Sequence, residues 1–205
     1  VGLNSSSLSQ GEVEFSVVPA PNSIQNAAST AATKQGFTVL RSPVEIKTYF
    51  RNGAKTSAVA GVSRFFATSY SFESSSLNSF TTGAYITSSG KAYQLPTTIR
   101  DYNNEHWATV KSRLQGYFAI LSKSRTFKDA PSWATTAVNS LGSRLILDIY
   151  TGTALSPSKA ATRSEVATLV INALGLVEET ATVSKFFDVS KTDANCGLSN
   201  GTATV

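Results

Sequence analysis

Methionine is absent from the 205 residues, and there is one cysteine, Cys196, and one histidine, His106. A single thiol cannot close a disulfide within the chain, and one Cys with one His cannot supply a zinc cluster, so neither can organise the fold. No cofactor and no metal site is expected. No apolar run approaches the roughly 18 residues a membrane-spanning helix needs. Val1-Gly2-Leu3-Asn4-Ser5 lacks the basic and apolar regions of a signal peptide, which reads as a mature or cut terminus. Charge is sparse at 15%, with 18 basic residues against 13 acidic and a net charge of +5. That balance favours an acidic partner, but Lys and Arg are scattered without a basic run or basic helix, which argues against nucleic acid.

The composition changes character near residue 125. Ser, Thr, Val, Phe and Tyr with Gly and Asn punctuation dominate before it, and Ala, Leu and helix-spaced apolar residues follow, so two units are expected, 1–125 and 126–205. In the first, Val13, Phe15 and Val17 alternate with Glu14 and Ser16, the pattern of a half-buried strand ended by Pro19 and Pro21. Residues 24–33 read as loop or one short helix, because Asn, Ser and Thr surround the alanines. Alternation over 44–50, then Asn52-Gly53, reads as a hairpin whose second, extended segment runs from Ser57 to Phe66. The serine-rich stretch 69–79 reads as a long exposed connection. Two more hairpins are expected, over 84–95 and 97–114, and Tyr117–Leu121 closes the unit. Seven to nine short strands with turn signals between them predict an antiparallel sandwich or barrel.

After Lys128 the apolar period lengthens. Trp133, Ala134, Ala137, Val138 and Leu141 predict an amphipathic helix over 132–143, with Asp129 or Ser132 as its cap and Pro131 in its first turn. Thr162 with Glu165 three residues on is a capping box, followed by the stripe Val166, Leu169, Val170, Ala173 and Leu174 and stopped by Gly175.

Five elements of this second part occur in a particular order: Phe127-Lys128-Asp129-Ala130-Pro131-Ser132-Trp133-Ala134, Gly142 to Leu147, Leu155-Ser156-Pro157, Thr162 to Val166, and Ala173-Leu174-Gly175-Leu176. Together they resemble one complete S-layer homology (SLH) motif. Phe186-Phe187-Asp188-Val189, about 60 residues beyond Phe127, resembles the opening of a second repeat. Upstream, Gly36 to Leu40, Ser42-Pro43-Val44, Gly116 to Ile120 and Lys123 to Phe127 resemble the β-rich domain that precedes SLH repeats in secreted proteins of Paenibacillus-like Gram-positive bacteria. The fold class implied is α+β, an N-terminal antiparallel β-sandwich followed by a small helical SLH segment. The resemblance also implies secretion to the cell wall and binding of anionic, pyruvylated secondary wall polysaccharide. Arg163, at the first turn of the second helix, would supply a cation beside free amides for the ketal carboxylate. Trp133 reads first as a core residue, and second as an apolar face for a sugar. Where the family commonly has glycine after the apolar plug, this chain has Ile149.

Other chemistry is weaker. His106 and Asp101 could be drawn into a hydrolase triad, but no nucleophile-elbow sequence accompanies them, and no enzymatic activity is expected. Cys196 reads as an incidental thiol, and Asp188 with Asp193 is too little for a calcium loop. Two alternatives stand beside wall anchoring. One is a self-assembling subunit of a surface layer or fibre, a homo-oligomer or one contacting neighbouring surface-layer chains, and the other is the C-terminal anchor of a larger secreted carbohydrate-active enzyme.

Overall fold

The computed structural model describes residues 11–59, 65–72, 77–78, 80–102 and 105–177. Within them the alternating segments form β1 (Glu12–Pro19), β2 (Thr38–Asn52), β3 (Lys55–Ala58), β4 (Phe66–Phe72), β5 (Thr81–Ile86), β6 (Ala92–Leu95), β7 (Thr97–Tyr102), β8 (Glu105–Ser112) and β9 (Gly116–Ser122). Three helices join them, α1 (Asn22–Gln35), α2 (Thr135–Ser143) and α3 (Arg163–Leu174). Every described strand pair is antiparallel. One sheet runs β1-β2-β9-β5-β6, with β3 also paired to β2, and a second runs β4-β8-β7. The chain is therefore mixed α and β, with antiparallel sheets. None of the described helices is long and apolar enough to cross a membrane.

Strand periodicity sets the layers. Along β9, Phe118 and Ile120 face one way and join Ile46, Leu95, Phe72, Ala108 and Val110 in a core shared by the two sheets. Ala119 and Leu121 face the other way and join Ala84, Ile86 and Ala92, covered by Ile24, Ala28 and Ala31 of α1. The larger sheet is thus buried on both faces at its centre. Just ahead of β9, which begins at the pairing of Gly116 with Ile46, the Gln115 side chain continues the ladder, accepting from the Thr48 amide (2.6 Å) and donating to the Val59 carbonyl (2.8 Å). Gly116 has φ +129°, and a Cβ there would lie 2.9 Å from the Tyr85 ring, so a side chain is excluded twice over.

Three expectations need correction. Residues 22–35 form a full helix because Ile24, Ala28 and Ala31 share a buried stripe, so packing overrides the weak propensity. The Ser29, Thr30 and Thr33 hydroxyls bond back to carbonyls four residues earlier, which satisfies them inside the helix. The supposed connection 69–79 begins as strand: β4 runs to Phe72, with Tyr70 and Phe72 turned inward between serines, and 73–76 and 79 lie outside the described residues. Finally, β1 is not half-buried. Val13, Phe15 and Val17 are 37%, 56% and 55% exposed.

The second part of the chain packs against the first. Leu145 follows α2 in the left-handed region (φ 65°), with its amide bonded to the Gly142 carbonyl and that of Ile146 to the Leu141 carbonyl. This turn carries the Leu145 side chain into the core between α1 and the sheet. Beside it the Asp148 carboxylate meets Lys123 Nζ at 2.8 Å, Arg125 Nη1 at 3.5 Å and Gln35 Nε2 at 3.0 Å, joining α1, the end of β9 and the segment after α2.

The Lys123 and Arg125 side chains are only 9% and 10% exposed, so removing their shared anion strands the largely desolvated Lys123 ammonium and takes the neutralising charge from Arg125, which keeps its carbonyl partners. Asp148→Ala is expected to cost about 3 kcal/mol in urea unfolding, and a loss below about 1 kcal/mol would contradict this packing. Tyr70 offers the opposite case. Among the described residues its hydroxyl is buried without a partner, and burial pushes its pKa up to about 12. Tyr70→Phe should leave stability unchanged or raise it by about 1 kcal/mol, whereas a clear loss would reveal a hidden partner for the hydroxyl.

Candidate functional site

Residues 125–176 are tied together mainly by side chains that reach backbone groups. Arg125 bonds the Leu147 carbonyl (3.1 Å), the Tyr150 carbonyl and the Gly152 carbonyl (3.1 Å), and its guanidinium lies over the Phe127 ring at 4.6 Å. The Phe127 amide donates to Asn139 Oδ1 and the Lys128 amide to the Thr153 carbonyl. Asp129 accepts from the amides of Leu155 and Ser156, both at 2.7 Å. Its carboxylate therefore does not cap α2 as expected, but closes the turn 129–156 from across the loop. These two amide bonds hold its pKa below the ordinary 3.8.

Neither expected cap serves α2. The helix starts at Thr135, its N-cap position is Ala134 without a side-chain bond, and the Thr135 hydroxyl donates to the Pro131 carbonyl at 2.9 Å. Residues 131–134 instead form a turn closed by the Ala134 amide on the Pro131 carbonyl. Helical spacing therefore does not apply to Trp133. Ala134 turns inward and Trp133 turns outward at 88% exposure, so the expectation of a core tryptophan is overturned.

The second helix start matches its signature. The Thr162 hydroxyl accepts from the Glu165 amide (3.1 Å) while the Glu165 carboxylate accepts from the Thr162 amide (2.7 Å). That backbone bond is the main reason the Glu165 pKa falls below its ordinary 4.5, with Lys159 at 3.8 Å adding a smaller pull. Arg163 is the first residue of α3 and is exposed. At the other end Gly175 adopts φ +67°, and a Cβ there would fall 2.3 Å from Pro96 Cδ, so the helix end seats directly on the strand edge at Leu95 and Pro96. Asn172 Nδ2 donates to the Ile146 carbonyl. The apolar stripe of α3 finds no cover among the described residues: Val166, Val170 and Leu174 are about half exposed.

The two residues singled out as ligand contacts thus stand at exposed positions at the heads of α2 and α3. Sequence reasoning missed the Asp148 cluster, although an acid directly after the plug Leu145-Ile146-Leu147 was a usable signal. His106 Nδ1 and Asp101 Oδ1 do meet, at 2.6 Å, as a partly exposed pair on the β7–β8 hairpin. Among the described residues no group of three or more His, Cys, Asp or Glu side chains could hold a metal ion. An open cleft of about 420 Å³ lies at the β2 bulge, between Val17, Val18, Pro19, Gln25 and Leu40–Val44. Its one charged side chain, Arg41, is engaged by the Ser71 carbonyl and the Phe72 ring. Phe186–Val189, Asp193 and Cys196 lie outside the described residues. The chain matches no family model, and comparisons with curated proteins and with solved structures find no significant match.

The lowered pKa values of Asp129 and Glu165 have a defined consequence. Their stabilisation is fully present above the ordinary carboxylate values and is lost as pH falls through the depressed folded values. The thermal midpoint should therefore drop between about pH 5 and 2, and Asp129→Asn should flatten the drop. Equal slopes for the two proteins would remove Asp129 from this role.

Proposed function

We propose that this chain is a non-catalytic module of a bacterial cell-surface protein, in which two facing sheets act as a sandwich-like spacer and residues 127–176 act as an SLH-type segment engaging an anionic wall polysaccharide. The exposed Trp133 carries the reading. A large indole held in water on a short, hydrogen-bonded turn costs apolar exposure, and its face suits stacking on a sugar ring. Arg163 supports it as an exposed guanidinium at a helix N-terminus, where a fixed cation and the helix dipole both favour a carboxylate. The net charge of +5 adds long-range attraction for an acidic polymer. On this reading the localisation is the outer surface of a Gram-positive wall.

A second reading has one observation in its favour. The half-exposed stripe Val166, Val170 and Leu174 on α3 suits burial against another helix, as in a self-assembling surface layer.

Co-sedimentation with purified pyruvylated wall polymer separates the two. Trp133→Ala and Arg163→Ala should each weaken polymer binding about tenfold or more. Being at exposed positions, both changes should alter stability by less than about 0.5 kcal/mol. Wild-type affinity in both variants would sink the assignment, and polymer-independent assemblies abolished by Val170→Lys would favour the second reading.

A further inference from the structure

The larger sheet runs from β1 to β6, with the short β3 beside β2, and the chain treats the β1 and β6 edges very differently. At the β6 edge the strand has four residues and is followed by Pro96. The Gln35 side chain makes a two-point contact there, accepting from the Ala92 amide (2.9 Å) and donating to its carbonyl (3.2 Å), as a neighbouring strand would. The end of α3 closes over Leu95 and Pro96. Each of these is a way of preventing a further strand from adding.

Among the described residues the β1 edge carries none of these devices. β1 pairs with β2 without a bulge from Glu12 against Arg51 to Pro19 against Val44, has no lysine, and meets proline only at its last residue. Its pairing puts Phe15 opposite Thr48 and Val17 opposite Ile46, so Val13, Phe15 and Val17 continue the inner face of the sheet. The second sheet is too narrow to cover them. Phe15 touches its margin through Phe66, with ring centroids 6.4 Å apart, and is still 56% exposed. Val18, on the opposite face, is 44% exposed. A long, flat, apolar edge strand is a template for another strand.

We propose that β1 is a self-association edge, pairing antiparallel with β1 of a second copy about a two-fold axis at Phe15. The β1 sequence selects this partner and register. In an antiparallel pair, directly opposed residues share a face. Centring on Phe15 sets Phe15 against Phe15, Val13 against Val17, Glu14 against Ser16 and Glu12 against Val18 of the other copy. Apolar residues then meet apolar residues on the inner face, and no carboxylate opposes another. Shifting the centre to Glu14 would oppose like charges, shifting it to Ser16 would set Val13 against Pro19, which has no amide to donate, and an odd shift would place the apolar row opposite the polar one. Because the β6 edge is closed and β3 is a four-residue strand opening on Lys55, neither offers β1 a head-to-tail partner in this sheet. The contact is therefore isologous and stops at a dimer with one continuous sheet.

This inference does not depend on wall binding and is tested without polymer. In sedimentation velocity the full chain is expected to form a dimer, and Phe15→Lys is expected to weaken it about tenfold or more. Val170→Lys should leave the same dimer intact. Phe15→Cys in a Cys196→Ser background should form a disulfide-linked dimer on mild oxidation, because opposed cross-strand Cβ atoms lie within reach of a disulfide. Thr56→Cys on β3 in that background should not. A monomeric chain whose Phe15→Cys variant gives no disulfide link overturns the proposal, as does a dimer that ignores Phe15→Lys or is lost with Val170→Lys.

Discussion

The strand β9 is bonded along both edges, to β2 and to β5, and carries core side chains on both faces. This two-sided burial is the constraint from which the other elements take their places. Phe118 and Ile120 require the second sheet on one side; Ala119 and Leu121 require a cover on the other. That cover is shared between α1 and Leu145, the residue that leaves α2 in a left-handed turn. A non-glycine residue at positive φ costs about 1 kcal/mol or more, a cost that burial of the leucine side chain offsets.

The functional reading follows from the same constraint. Once Leu145, Asp148 and Arg125 have tied residues 125–150 to the sheet, the turn ahead of α2 sends Ala134 inward and leaves Ser132 and Trp133 exposed. The tryptophan is thus presented on a short turn backed by the core. Polar residues of the segment 125–176 act mainly as staples: Asp129 closes a loop, Asn139 holds the Phe127 amide, and Glu165 with Thr162 caps a helix. This explains how residues 125–176 can form an ordered segment with so little of α3 buried.

Much of this was legible in the sequence where a local rule was decisive. The Thr162–Glu165 box and the glycine at 175 placed α3, and Asn52-Gly53 placed the β2–β3 hairpin. Failures occurred where tertiary contact overrode local preference. The polar helix α1 needed the apolar face of the sheet to declare itself, and β4 was hidden because Tyr70 and Phe72 alternate with serines at the start of the serine-rich stretch 69–79. Trp133 was misplaced because its spacing matched a helix that starts two residues later. Alternation in β1 correctly predicted a strand, but periodicity cannot say how wide the facing sheet is, and here it is too narrow.

The claim on which the rest stands is that residues 125–147 fold as part of the sheet's own core. Native-state hydrogen exchange across a denaturant series tests it most directly. The account predicts that the amides of Arg125, Phe127 and Ile146 exchange through the same global opening as those of Phe118 to Leu121, with the same free energy and denaturant dependence. Exchange of the first group through a cheaper opening that leaves β9 protected would contradict it, and would make the helical segment a separate unit.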